Sequence, residues 1–153
     1  MQEKHTYRVD AVCTAPRAGI TTADGITDAV TFSAPPEFAG MPGRWTPEHF
    51  FVGAVVTCYS ATFSGIAAIS KLPFEHFEVT AEGTLEKDQS GWRFTRVELY
   101  PSVVIRNEAD RERARRLLDK AEKTCLVARS LACPVTMTPE IKLQSELPLP
   151  RAS

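Results

Sequence analysis

The stretch Thr46–Ser70 reads TPEHFFVGAVVTCYSATFSGIAAIS and is the longest apolar run of this chain. Thr46 suits a helix cap, Pro47 suits the first helical position, and Glu48 favours the positive end of the helix dipole. We therefore expect one long helix that starts at Thr46 and is stopped before Pro73. Because this helix is apolar nearly all round, its composition predicts burial on every side.

The composition is that of an ordinary soluble globular protein. The chain has 153 residues, of which 43% are apolar and 24% charged, so we expect a single domain over residues 1–153. The formal net charge of −1 gives no reason to expect a nucleic acid or an anionic membrane as partner. Hydroxyl side chains interrupt the apolar run, which favours a core helix over a membrane span. Since Met1–His5 carries no apolar signal core, we expect a cytoplasmic protein.

Alternating apolar residues predict strands on both sides of the long helix. The expected strands cover 5–13, 20–23, 26–32, 77–85, 92–105 and 135–143. Asp24-Gly25 predicts a hairpin, and a phase slip between Phe94 and Val97 predicts a bulge. Apolar spacings of three and four predict a second helix over 108–131. We expect the tail Leu147–Ser153 to be frayed.

This order of elements predicts a mixed α+β domain, with antiparallel sheets around two long helices. One small sheet cannot cover a helix that is apolar on all sides. We therefore infer an intertwined homodimer in which both copies of the long helix are buried centrally.

The four cysteines indicate the chemistry. Cys58 lies in the middle of the long helix and Cys125 on the apolar face of the second helix, which suggests thiol–disulfide redox chemistry. The chain lacks a Cys-x-x-Cys pair and its three histidines are scattered, so we expect no metal site. Cys13 and Cys133 fit inert small apolar residues, and we assign them no role.

A reactive Cys58 must be ionised, whereas burial raises the pKa of a thiol. Cys58 therefore needs a nearby cation, best an arginine that a carboxylate such as Glu48 orients. Ten helical residues rise about 15 Å, so Glu48 and Cys58 of one regular helix cannot share a small site. Either the helix start is irregular, or Glu48 serves the site of the other subunit.

Two motifs make the chain resemble a known family. Residues 46–58 follow the pattern T-P-E-x-F-F-x-G-A-x-x-x-C, and Cys125 lies in AEKTCLVARSL at 121–131. Together they resemble the OsmC / organic hydroperoxide resistance family, over roughly Tyr7–Leu143. The resemblance implies an OsmC-like α+β fold, an intertwined homodimer and a cysteine-based peroxidase for organic hydroperoxides. It also implies that no metal, haem or flavin cofactor is used.

The resemblance also implies residue roles. Cys58 matches the peroxidatic cysteine and Cys125 the resolving one, while Glu48 matches the glutamate that orients an arginine. Arg17, in the turn Pro16–Gly19, is the best match for that arginine, and Arg44 is the alternative.

Two positions depart from the family pattern. One branch of the family carries its arginine where this chain has Glu37-Phe38. Many relatives have Cys-Pro where this chain has Cys125-Leu126, so here we expect the second helix to continue through Cys125.

By the same resemblance, Cys58 forms a sulfenic acid and then a disulfide with Cys125. An external dithiol, on a lipoyl protein or thioredoxin, would reduce it. An apolar pocket lined by Phe51, Val55 and Phe63 would favour alkyl or lipid hydroperoxides. The alternative is a non-catalytic OsmC-like protein that binds an apolar small molecule in the dimer cavity. Disulfide exchange on proteins is a third hypothesis, which the lack of a Cys-x-x-Cys pair weakens.

The predicted homodimer can be tested by size-exclusion chromatography with light scattering. We expect twice the chain mass at micromolar concentration, because a monomer would leave the apolar long helix in water. A stable monomer at that concentration would contradict the intertwined arrangement.

Overall fold

The structure is a computed structural model in which residues 2–149 are described. These residues fall into two compact units, the first ending at Phe51 and the second beginning at Val52. A single domain over 1–153 stays a prediction, and residues 150–153 of the predicted frayed tail lie outside the described part. The strands and helices are β1 Val9–Ala15, β2 Ala18–Ala23, β3 Val30–Ser33, α1 Pro47–Ile69, β4 His76–Asp88, β5 Gly91–Ile105, α2 Arg111–Thr124, α3 Leu126–Ser130, β6 Val135–Met137 and β7 Glu140–Leu143.

The first unit contains an antiparallel sheet in the order β1-β2-β3. Its first connection is the two-residue turn Pro16-Arg17, and the predicted Asp24-Gly25 turn lies in the loop between β2 and β3. The predicted half-buried strand over 5–13 is corrected in two respects. It begins only at Val9, and residues 9–14 are exposed on both faces, including Val12 at 65%.

An apolar cavity of about 480 Å³ lies within the same unit. Val9 and Ala11 of β1 line it, together with side chains from β2, β3 and the first turn of α1: Thr21, Phe32, Pro47 and Phe50. The alternating apolar residues Val9 and Ala11 of β1 therefore line an open apolar cavity and do not form a buried sheet face.

Two reciprocal hydrogen bonds cap α1 at the predicted residue. Thr46 Oγ1 accepts from the His49 N–H at 3.2 Å, and the Thr46 N–H donates to His49 Nδ1 at 3.1 Å. His49 thus occupies the position, and accepts the hydrogen bond, that Glu or Gln has in a capping box. The sequence indicated the threonine cap but no role for this histidine.

The single chain buries only one stripe of α1. Val55, Tyr59, Phe63 and Ala67, four residues apart, are fully buried, whereas Ile69 is 85% exposed. Burial on every side is therefore wrong for one chain, because the elements of one chain cover a single face. By length and composition α1 could cross a membrane, as many core helices could, and 22% of its most apolar window is buried.

The second unit is built on a long hairpin of β4 and β5. Thr84 pairs with Arg96 and Leu85 with Phe94, which leaves Thr95 as an extra residue in β5. This irregularity confirms the predicted bulge.

The predicted strand over 135–143 is corrected to two short strands, β6 and β7, on either side of Thr138-Pro139. Both pair with β5 and run parallel to it, whereas the other strand pairs are antiparallel as expected. The direction follows from the connection, since the chain leaves β5, passes through α2 and α3, and returns to the sheet by a crossover.

The core of the second unit joins α1, β5 and α2. Phe63 stacks on Phe77 with a centroid separation of 4.2 Å. Gly83 lets α1 approach β4, since a Cβ there would lie 2.5 Å from Val52 Cγ2. The other buried side chains come from β5 and α2: Val97, Leu99, Val103, Ile105, Ala114, Leu117, Leu118 and Ala121.

The predicted helix over 108–131 is interrupted at Cys125. A 3₁₀ turn at Glu108–Asp110 leads into α2, which ends at Thr124. Cys125 is extended, with φ −60° and ψ 113°, and its carbonyl accepts from the Arg129 N–H at 3.1 Å to start α3. The expectation of a continuous helix through Cys125-Leu126 is therefore wrong. Cys125 acts as the N-terminal cap residue of a second helix without any proline.

Phe63→Ala tests the assignment of this core. We expect a loss of about 3–5 kcal/mol in the free energy of unfolding, since a fully buried ring is replaced by a cavity. Urea unfolding followed by circular dichroism measures it. Tyr7→Ala is the control, because Tyr7 is 89% exposed and its loss should leave the unfolding midpoint nearly unchanged. Equal effects of the two changes would contradict the assignment.

Candidate active site

Tyr59, the neighbour of Cys58, ties α1 to α2. The Tyr59 hydroxyl donates to the Leu118 carbonyl at 3.2 Å and lies 3.0 Å from Met137 Sδ. Burial, followed by the charge of Glu122, raises the pKa of Tyr59, so the hydroxyl keeps its proton and remains a donor. This bond holds the middle of α1, and with it Cys58, against the helix that leads to Cys125.

Cys58 is half-buried, Cys125 is buried, and both are free thiols. Their interaction lowers the pKa of Cys58 and raises the pKa of Cys125. Hydrogen bonding by the backbone N–H groups of Val127 and Leu126 also lowers the pKa of Cys58. These donors are available because the first N–H groups of a helix have no carbonyl partner within it. The break at Cys125 thus directs the start of α3 at Cys58.

The surroundings shift the two thiol pKa values in opposite directions. Burial raises the pKa of Cys58, but the hydrogen bonds from Val127, Cys125, Thr62 and Leu126 outweigh it, so the net pKa lies below its ordinary value. For Cys125, burial and its role as donor to Cys58 raise the pKa, although the Ala128 N–H opposes this. The two thiols titrate as a coupled pair, and both directions favour the negative charge on Cys58.

Glu48 and Arg17 belong to the first unit, and their predicted roles stay predictions. Glu48 Oε2 is buried and has no hydrogen-bond partner among residues 2–149. A buried carboxylate oxygen without a donor is unfavourable.

Arg17 is built into the turn between β1 and β2. Its φ of 60° is unusual for a side-chain-bearing residue, and its carbonyl accepts from the Ala34 N–H at 2.8 Å. Its Nη1 donates to the Phe38 carbonyl at 2.6 Å. Arg17 therefore stabilises the loop after β3 through its bonds to Ala34 and Phe38 in the single chain. The sequence did not indicate this structural role.

Arg44, the alternative cation, is exposed at the edge of a second cavity of the first unit. This cavity measures about 310 Å³ and is lined by Gly43, Arg44, Trp45 and His49. The choice between Arg17 and Arg44 stays open.

The structure settles one alternative for Glu48. Because α1 is helical without interruption from Pro47 to Ile69, the hypothesis of an irregular helix start is excluded. Service of Glu48 to another subunit stays a prediction.

Several other expectations change. Val55 and Phe63 are fully buried core residues, so they do not line an accessible pocket. Cys13 is exposed on β1, which does not fit a buried inert residue, and Cys133 is half-buried after α3. Among residues 2–149, no three histidine, cysteine or acidic side chains gather as metal ligands.

Sequence reasoning looked for a cation beside Cys58 and missed its hydrogen-bond donors. The Leu126 and Val127 N–H groups cannot be read from residue types, since they depend on where the helix breaks. The Thr62 hydroxyl was detectable, because residue 62 lies one helical turn after Cys58.

An α+β fold with a cysteine on each of two helical segments is the arrangement that the sequence motifs predicted, and comparison with known proteins gives the family. The chain belongs to the OsmC-like protein family, whose profile matches residues 40–140.

Individual relatives are distant. The chain is 27% identical over 131 residues to YmaD of Bacillus subtilis (strain 168), an uncharacterized protein, and the match covers 83% of this chain and 87% of YmaD. An OsmC-like protein of unknown function from Vibrio cholerae shares the fold with a TM-score of 0.79 and 22% identity, over 89% of this chain and 99% of that one. An organic hydroperoxide resistance protein OsmC from Legionella pneumophila has a similar fold, with a TM-score of 0.72 and 20% sequence identity. The match covers 92% of this chain and 99% of that one.

The opposite pKa directions predict selective alkylation. Iodoacetamide should modify Cys58 well before Cys125, with a midpoint in pH below that of an ordinary thiol, because only thiolates react. Peptide mass spectrometry after timed quenching gives both rates. In urea the hydrogen bonds are lost, so the pH midpoint of Cys58 alkylation should rise to that of an ordinary thiol. A native midpoint at or above the unfolded one would contradict the assignment.

Proposed function

We propose that this protein is a thiol-dependent peroxidase that reduces organic hydroperoxides at Cys58 and resolves the product with Cys125. The observation that carries the proposal is the interaction of the two free thiols, which lowers the pKa of Cys58 and raises the pKa of Cys125. Membership of the OsmC-like family and the similar fold of proteins named for organic hydroperoxide resistance support it.

In the first step the Cys58 thiolate attacks the terminal oxygen of a hydroperoxide ROOH. The S–O bond forms as the O–O bond breaks, and RO⁻ leaves with the bonding electron pair and takes up a proton to become the alcohol. Cys58 is oxidised to a sulfenic acid and the peroxide is reduced. A nearby cation would stabilise the negative charge on the leaving oxygen, and Arg17 is our first candidate.

In the second step Cys125 attacks the sulfenic sulfur. The S–S bond forms, the S–O bond breaks, and hydroxide leaves as water after taking the thiol proton. The hydrogen bond between the two thiols favours this step, because it already holds the attacking sulfur beside its target. Cys125 first has to lose its proton, and burial raises the pKa of its thiol.

A dithiol from outside the protein closes the cycle. It reduces the disulfide to two thiols and becomes a disulfide itself, so the sum is ROOH plus dithiol giving ROH, water and disulfide. We propose a lipoyl protein or thioredoxin of the cytoplasm as its source, and no metal or organic cofactor takes part.

We further propose that the working form is an intertwined homodimer. The exposed part of α1 and the open apolar cavity beside β1 would gain cover from a second copy. The buried Glu48 Oε2 without a donor would gain its arginine partner there. We propose that in such a dimer Glu48 and Arg17 complete the site of the other subunit, and the rise of about 15 Å over ten helical residues supports this arrangement.

Turnover with cumene hydroperoxide and dithiothreitol tests the function. We expect Cys58→Ser to lose turnover at least about a thousandfold, because a serine hydroxyl is a far weaker nucleophile at neutral pH. Without dithiothreitol, Cys125→Ser should consume one equivalent of peroxide and then stall as a sulfenic acid that dimedone traps. Cys133→Ser, in the same unit, is the matched control and should retain the wild-type rate.

Retention of the wild-type rate by Cys58→Ser would show that the mechanism is wrong. An apolar ligand that copurifies with the protein, in the absence of any turnover, would instead favour the non-catalytic binding protein.

A further inference from the structure

The second cavity of the first unit is lined by hydrogen-bond donors. It measures about 310 Å³ and is lined by Gly43, Arg44, Trp45 and His49. A guanidinium and an indole N–H can donate hydrogen bonds but cannot accept them. Within residues 2–149, neither the Arg44 guanidinium nor the Trp45 indole N–H has a hydrogen-bond or ion-pair partner. Both groups are therefore available to a ligand.

The cap of α1 determines which nitrogen of His49 carries the proton. The Thr46 backbone N–H donates to His49 Nδ1 at 3.1 Å, so Nδ1 is an acceptor and the hydrogen of the neutral ring lies on Nε2. In the part of the chain that the structure describes, Nε2 has no partner. His49 thus supplies a third donor, and no acidic side chain is among the described residues that line the cavity.

The two rings of the cavity are held in place by contacts within the first unit. The Ser33 N–H donates to the Trp45 carbonyl at 2.9 Å, and the Trp45 ring stacks on Phe50 with a centroid separation of 5.6 Å. The His49 ring meets Trp45 edge-on at 5.9 Å. Trp45 is nevertheless 54% exposed, so much of the indole remains free for contact with a ligand.

Donors without an acceptor, next to an unpaired cation, are complementary to an anion. A carboxylate accepts two parallel hydrogen bonds from a guanidinium, which a single-atom ion cannot do. An exposed aromatic ring adds a surface on which a flat apolar group can stack. Small-molecule sites have volumes of about 300–1,000 Å³, and this cavity lies at the lower end of that range.

We propose that this cavity is a binding site for a small organic carboxylate with a flat apolar body. Arg44 and the Nε2–H of His49 donate to the carboxylate, and the apolar body stacks on Trp45. The site contains neither cysteine of the proposed redox pair, so its occupancy can be measured without any peroxide.

An NMR titration with benzoate tests the site in isotope-labelled full-length protein. The indole N–H signal of Trp45, identified by its loss in Trp45→Phe, should shift and saturate. The indole signal of Trp92 should stay in place, although Trp92 is 55% exposed, almost the same as Trp45. Benzamide has the same shape without the charge, and it should bind at least about tenfold more weakly.

Arg44→Gln should weaken benzoate binding at least about tenfold, because it removes the charge from the hydrogen bonds to the carboxylate. Arg8→Gln is the matched control. Arg8 is an exposed arginine of the same unit, but it forms an ion pair with Asp10 at 3.0 Å, so its loss should leave the affinity unchanged.

His49→Glu separates a binding role of this residue from its capping role. Glutamate is a usual residue at this position of a capping box, so the start of α1 and the melting temperature should be retained. The same change replaces a donor by a negative charge, so benzoate binding should be lost. A folded His49→Glu variant with wild-type affinity would reject the role of His49 in binding.

A Trp45 signal that does not shift, equal binding of benzamide, or wild-type affinity in Arg44→Gln would overturn the site. Inorganic phosphate that binds as tightly as benzoate would overturn the assignment to flat carboxylates, since phosphate has no apolar body to stack on Trp45. A saturable benzoate shift that Arg44→Gln weakens and Arg8→Gln does not would support it.

Discussion

A thiolate in an apolar helix is stable only where hydrogen-bond donors replace the water that it has lost. Cys58 meets this condition through the start of α3, whose first N–H groups reach its sulfur, and through the Cys125 thiol. Burial alone would have made Cys58 an inert residue. Two of the four groups that outweigh burial, Leu126 and Val127, belong to a helix that starts sixty-eight residues further along the chain.

The break at Cys125 gives that helix its position. Because Cys125 is extended and not helical, α3 starts at once behind it and directs its free N–H groups at Cys58. The same residue contributes the second thiol, so one local conformation supplies both the start of α3 and the sulfur to which we assign the resolving role. The Tyr59 hydroxyl on the Leu118 carbonyl fixes the two helices that carry the cysteines.

Much of the fold could be predicted because it depends on local patterns. Thr46-Pro47 marks the start of α1, and the phase slip before Val97 marks the bulge at Thr95. The interruption at Cys125 could not be predicted, since no proline or glycine signals it. For the site, the motifs indicated both cysteines, but the donors depend on backbone placement, which no residue type records.

The roles of Glu48 and Arg17 illustrate the same limit. Residue types suggested an ion pair beside the thiol, whereas in the single chain the Arg17 guanidinium is bonded to the Phe38 carbonyl and Glu48 Oε2 has no donor. The central claim, a redox pair of Cys58 and Cys125, is tested most directly by disulfide mapping after one equivalent of cumene hydroperoxide. Peptide mass spectrometry should find Cys58 linked to Cys125 within one chain, with the loss of two hydrogen atoms. Oxidised Cys58 beside a free Cys125 thiol, or a disulfide that involves Cys13 or Cys133 instead, would contradict the account.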